Sequence, residues 1–176
     1  MIANVPSTTF KLVANALLFQ GAWWSAVLLQ NDASLLLIGF SVALFFSNTD
    51  RIHVATDVCI VFPIMLVVEQ ALIANGLFEY THGQLPIFIV LLWLGLVMTS
   101  RQSLNFIWRY SFPLQLLILW ISSVLSYVAA SKFGALSIHV SLFQFAVWFG
   151  APWALCFILS ERISNWFNKK YQQLAR

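Results

Sequence analysis

Two carboxylates, Asp57 and Glu69, stand with Pro63 inside the apolar stretch of residues 54–77, VATDVCIVFPIMLVVEQALIANGL. The stretch is long enough to cross a bilayer. An ionisable side chain near the middle of a spanning helix costs roughly 2.5 to 3.5 kcal/mol on insertion scales, so it faces protein or water and has a partner. Counting about 1.5 Å of rise per residue from each span end puts Glu69 about two thirds of the way along its helix, at a depth comparable to Ser126, Tyr127 and Trp148 in later runs. With Gln20 of the first run these residues outline a candidate polar pocket between the third, fifth and sixth helices: Gln20, Glu69, Ser126, Tyr127 and Trp148. It would open outward under a lid of residues 79–84.

Asp57 lies near the start of its helix and Arg101 near the end of the next one. Opposite charges at similar depth on sequence-adjacent helices neutralise each other's insertion cost, so the two form a candidate intramembrane ion pair. The alternative is that both reach the headgroups by snorkelling. Other chemistry-bearing patterns are missing from the sequence: it has no glycine-rich phosphate loop, paired-cysteine motif or histidine spacing of a metal site. His53, His82 and His139 fall in or near connections, and Cys59 and Cys156 lie inside apolar runs as expected buried free thiols. No catalytic residue, no metal and no cofactor is therefore expected. A lipid-active enzyme with Glu69 as general base would need a nucleophile or metal that is not identifiable.

The elements that must position these residues follow from composition. With 61% hydrophobic and 9% charged residues and a mean hydropathy of +0.85, the chain is far more apolar than a soluble domain, which is about 25% charged. It reads as an all-α integral membrane protein. The net charge of +3 comes from basic residues scattered at span ends, which excludes a nucleic-acid patch. Apolar runs at residues 12–29, 35–46, 54–77, 86–100 (or on to 108), 112–130 and 141–159 predict a compact bundle of six transmembrane helices. The second run is short for a straight span, so five spans plus a re-entrant segment is the alternative. The first run is expected to be retained as a span and not removed as a signal peptide.

With six spans, Lys11, Arg51, Arg101, Arg109, Arg162, Lys169, Lys170 and Arg176 collect on one side and Lys132 alone on the other. The positive-inside rule then puts both termini in the cytoplasm. Two units are expected, a polytopic helical domain over residues 1–160 and a cytoplasmic amphipathic tail over 161–176. In the tail Ile163, Trp166, Phe167, Tyr171 and Leu174 recur at helical spacing, which suits an interfacial helix resting on lipid or a partner. Ser122, Ser126 and Ala130, and likewise Gly95, Thr99 and Ser103, form small-residue faces for helix packing.

Several pieces occur together in order: Asn15-Ala16-Leu17-Leu18-Phe19-Gln20 with Trp23, Glu69 before Gly76, Leu85-Pro86 leading to Leu92-Trp93, and Ser103-Leu104. They continue with Ser126-Tyr127 followed by Lys132 and Gly134, then Trp148 and Pro152. In these the chain resembles the domain of unknown function 2878 family over about residues 13–159. It departs from the family pattern where Glu69 stands for an aspartate, Gln102 for a histidine and Ala130 for a glycine. The first change keeps the carboxylate; the second removes a titratable group and any proton-transfer role there. The resemblance implies a compact helical bundle in the bacterial cytoplasmic (inner) membrane, beside lipid-modifying enzymes, and lends no reaction. The leading expectation is an accessory or interaction subunit linked to membrane lipid or envelope processes, with the lipid bilayer and a protein partner around it. The alternative is a small-solute transporter or substrate-binding subunit with an outward-facing pocket around Glu69.

Overall fold

Asp50 starts the helix that carries both intramembrane acids, accepting a 3.1 Å hydrogen bond from the His53 backbone N–H and a second from the His53 ring. Such a cap satisfies donors that a helix start otherwise leaves without partners. The structure, a computed structural model, describes residues 7–81 and 85–174, with backbone alone for Ser7, Thr8 and Leu174. Its helices are α1 (Ser7–Leu29), α2 (Ser34–Ser47), α3 (Arg51–Ala74), α4 (Ile87–Ser100), α5 (Phe112–Lys132), α6 (Leu142–Phe145) and α7 (Ala151–Leu174). The strands β1 (Phe78–Tyr80) and β2 (Leu136–Ile138) pair antiparallel, Phe78 with Ile138 and Tyr80 with Leu136.

Four helical stretches are long and apolar enough to cross a membrane: Thr9–Ser47, Arg51–Ala74, Phe112–Lys132 and Leu142–Gln173. Ile87–Ser100 is apolar but shorter. The first stretch doubles back, because Gln30 adopts a positive φ of 51° and a short 3-10 turn, Gln30–Ala33, sends α2 along α1. Asn15 of α1 accordingly reaches Ser47 at the far end of α2, at 2.9 Å. With 14 residues each, α2 and α4 rise only about 21 Å, some 9 Å less than a hydrocarbon core of about 30 Å.

α2 packs between α1 and α4, α3 packs on α4 and α7, and α5 packs on α7 while touching α1 and α4 at isolated points at most. The interior is aromatic, with Phe78, Phe88, Phe145, Phe149 and Phe157 fully buried. The outside is apolar too: Leu35, Val67, Leu125 and Phe143 are all more than 60% exposed. A surface of that kind is stable against lipid and not against water. Cys59, expected to be buried, is exposed on this outer face.

Two sequence expectations need correcting. The described part of the expected tail, residues 161–174, continues α7, which runs unbroken from Ala151 to Leu174. Nothing near Leu159 breaks the helix; Ser164 and Asn168 are buried against α3 and Glu161 against Ser100 and Arg101 at the end of α4, while Ile163, Trp166, Phe167 and Tyr171 face outward. The described part of the region expected to be a lid, Glu79 to Thr81, lies in and just after β1 of the two-stranded sheet, and residues 82–84 lie outside the described residues. Thr81 donates to the Gly134 carbonyl at 2.6 Å, and Gly134 itself turns the chain out of α5 with a φ of +76° that a side chain would strain.

Between α6 and α7 the helix widens into a π-turn, Ala146–Gly150. Pro152 follows at once; it has no N–H to donate and its ring cannot pack under a regular α-turn. The Trp120 indole N–H donates to the Ala146 carbonyl at 2.5 Å, which anchors the widened turn to α5.

Candidate functional site

The buried stripe of α3 reads Val54, Asp57, Val61, Met65, Glu69, Leu72, the three- and four-residue steps of one helix face. Both acids therefore point into the bundle, but Val61 and Met65, each 0% exposed, separate them. Near the two-stranded sheet, Glu69 takes hydrogen bonds on its Oε1 from the Tyr127 hydroxyl, at 2.7 Å, and from the Tyr80 hydroxyl. Its Oε2 has no hydrogen-bond partner among the described residues. Strand alternation does the positioning: Phe78 and Tyr80 are buried and Glu79 between them is exposed. Phe78 packs edge-on against Tyr127, Phe145 and Phe149, which fixes the strand over the acid. Glu69 thus ties α3, β1 and α5 together.

At the opposite end, where the basic residues gather, Arg101 grips Asp57 with Nε at 2.7 Å and Nη2 at 2.9 Å. The same guanidinium reaches Glu161 Oε2 at 2.8 Å and donates to Asn165 Oδ1 at 2.6 Å. Ser100 donates to Glu161 at 2.6 Å, and Ser164 donates to Asp57. Planar, bidentate geometry of this kind suits arginine and carboxylate. Next to it lies a second polar layer in which Asn15 joins Ser47 and Ser103, and Asn48 donates to the Leu44 and Met98 carbonyls at 2.8 and 2.9 Å. Gln102 is 5% exposed and accepts from Thr49 at 3.2 Å.

Between α1, α4 and α5, over Trp153 and Phe157 of α7, lies a cavity of about 460 Å³. It fills the gap left because α5 packs on α7 and not on α1 or α4. Its walls are aliphatic and aromatic, and no charged residue lines it among the described residues. Gln20, Ser122 and Leu125 line it and are exposed, so it opens sideways between α1 and α5. The Trp23 indole N–H donates to Ser126 Oγ at 2.8 Å and bridges the two helices within the cavity wall.

The structure brings Gln20, Ser126 and Tyr127 to one cavity and Asp57 and Arg101 to one ion cluster. It does not bring all five pocket residues together. Glu69 stands behind Tyr80 and Tyr127 and does not line the cavity, and Trp148 is 63% exposed on the outside of the π-turn. Trp153 occupies the wall instead. The pocket expected between the third, fifth and sixth helices around Glu69 is thus replaced by one between α1, α4 and α5. Sequence reasoning missed Tyr80, because the Phe78-Glu79-Tyr80 alternation is too short to read as a strand. It also missed Glu161, whose signal was the polar recurrence of Glu161, Ser164, Asn165 and Asn168 at helical spacing.

An apolar exterior, apolar helices of spanning length and buried polar groups that find hydrogen-bond partners inside the bundle define a helical membrane protein. The chain belongs to a family described as protein of unknown function (DUF2878), whose family model matches residues 12–159. No curated protein and no solved structure matches it.

Proposed function

We propose that the protein is a ligand-binding accessory subunit of the bacterial inner membrane, which takes a small apolar molecule from the bilayer into the cavity between α1, α4 and α5. The observation that carries this is the sideways opening of the cavity at Gln20, Ser122 and Leu125, on a flank that faces lipid in a membrane. Its volume of about 460 Å³ falls in the range of small-molecule sites, about 300–1,000 Å³. An apolar ligand that enters from the bilayer packs against the walls and needs no route through water. This reading joins the accessory role to substrate binding and links the protein to membrane lipid or envelope processes. It leaves Glu69 a structural part, a clasp that holds β1 and α5 to α3, and no reaction is assigned to it.

In this reading α1 to α5 and the α6–α7 segment make six crossings. The short α2 and α4 cross where the bilayer thins around them, a cost of fractions of a kcal/mol per Å of mismatch. Lys11, Arg51, Arg109, Arg162, Lys169 and Lys170 at one end, against Lys132 at the other, support cytoplasmic termini. The exposed Trp166 and Phe167, with Lys170 5.2 Å over the Trp166 ring, suit a helix end in the headgroup layer.

The test is mass spectrometry of small molecules extracted from the protein purified out of its own membrane. Ala129 lines the cavity, and Ala129→Phe fills part of it. The wild type should carry an apolar molecule in near-stoichiometric amount that Ala129→Phe loses; identical extracts from both would sink the reading.

A further inference from the structure

We propose that the molecule taken up is electrically neutral, with an apolar body and one hydroxyl or carbonyl head seated at Gln20 and Ser126. The inference rests on the cavity-binding reading above and specifies its ligand. Three observations carry it. No charged residue lines the cavity among the described residues, so an ionised head would be buried without a counter-charge, which is strongly unfavourable at low dielectric. The buried charges of the bundle are already engaged elsewhere: Arg101 with Asp57 and Glu161, and Glu69 behind the hydroxyls of Tyr80 and Tyr127. None of them reaches the cavity wall.

Hydrogen-bonding groups, by contrast, are present at the opening. The Gln20 amide is exposed there and makes no hydrogen bond among the described residues, although an amide offers two donors and an acceptor. Ser126 Oγ accepts from Trp23, which leaves its own hydroxyl hydrogen to donate. Depth then excludes the headgroup of an ordinary phospholipid. Gln20 lies nine residues from the end of α1 and Ser126 six from the end of α5, which is about 9 to 14 Å along the helix axis. Phospholipid headgroups stay in the interfacial layer outside the hydrocarbon core, whereas a lone hydroxyl or carbonyl on an apolar chain can descend to this level.

Trp23, Trp93 and Trp153 line the cavity, so a brominated ligand that enters it quenches their fluorescence. The experiment uses the full chain in neutral detergent and four probes of one chain length: a terminally brominated fatty alcohol, the matched carboxylate at alkaline pH, the matched alkyl trimethylammonium and the matched alkane. Wild-type protein should show saturable quenching by the alcohol at a concentration at least tenfold below that needed by either ion. Gln20→Leu should weaken the alcohol about five- to tenfold and leave the alkane unchanged, and Ser126→Ala should do the same more weakly. Gln20 is exposed, so its replacement leaves the packing intact. Binding of the carboxylate or the ammonium as tight as the alcohol, or an alcohol-to-alkane ratio untouched by Gln20→Leu, overturns neutral-head recognition while the cavity still binds. Failure of all four probes to saturate overturns the cavity-binding reading itself.

Discussion

Replacing Arg101 by Met is the sharpest perturbation of the bundle, because one guanidinium serves two acids. Arg101 contacts Asp57 at 2.7 and 2.9 Å, Glu161 at 2.8 Å and Asn165 at 2.6 Å. Asp57 is 0% exposed and Glu161 1%. After Arg101→Met each acid keeps one serine hydroxyl, Ser164 on Asp57 and Ser100 on Glu161, and neither keeps a cation. Breaking a buried ion pair by removing one partner costs about 3–5 kcal/mol, a large share of a total stability of about 5–15 kcal/mol. The triple variant Arg101→Met, Asp57→Asn, Glu161→Gln removes the uncompensated charges together, so most of the loss should return. Reversible unfolding in mixed micelles, followed by far-ultraviolet circular dichroism as denaturing detergent is added, measures both variants. Arg101→Met within about 1 kcal/mol of wild type, or a triple variant no more stable than the single one, would refute the argument that charge compensation holds this end of the bundle.

Gly150→Ala should destabilise by about 1–3 kcal/mol or more in the same assay, because an added Cβ would sit 2.5 Å from Trp120 and Val124 side-chain atoms. Gly39→Ala, where nothing lies within 4 Å, is the control and should be neutral or stabilising by up to about 1 kcal/mol. Tyr127→Phe should cost about 1–3 kcal/mol by removing a donor from buried Glu69; adding Tyr80→Phe should give a non-additive sum, since both hydroxyls share Oε1. Asp50→Ala should cost about 1 kcal/mol as the loss of a helix cap. Burial raises the Asp50 carboxyl and the His53 hydrogen bonds lower it, with a net value below the ordinary 3.8. A lowered carboxylate stabilises the fold above its unfolded value and loses that contribution as pH falls through the folded one, so the wild-type advantage over Asp50→Ala should begin to shrink in an acid titration as pH falls below the ordinary 3.8.

The helices were largely legible in the sequence because their signal is local. The runs at 35–46 and 112–130 differ by at most two residues at either end from α2 and α5, and α4 stops at Ser100, the earlier of the two ends considered. What escaped depends on distant partners. Phe78-Glu79-Tyr80 is too short to announce a strand, and it becomes one because Leu136–Ile138, far along the chain, lies alongside it. The aromatic residues of 161–174 stand out in the sequence, but the contacts to the bundle come from the other side of the helix. The bundle supplies Asp57, Arg101 and Thr56, so the polar side docks instead, with Thr56 donating to Asn168 at 2.9 Å. Depth, counted from rise per residue, does not say which way a side chain points, and Trp148 lies in the π-turn before Pro152 and faces outward. The cavity had no sequence signature, because it arises from how α5 packs and from no residue pattern.

An experimental structure of the protein in lipid nanodiscs, prepared without delipidation, tests the central claim most directly. The account predicts elongated density in the cavity between α1, α4 and α5, lying along Leu92 and Leu119, with its end within hydrogen-bond reach of Gln20 or Ser126. Density absent there, with α1 and α5 closed directly onto each other, would contradict it.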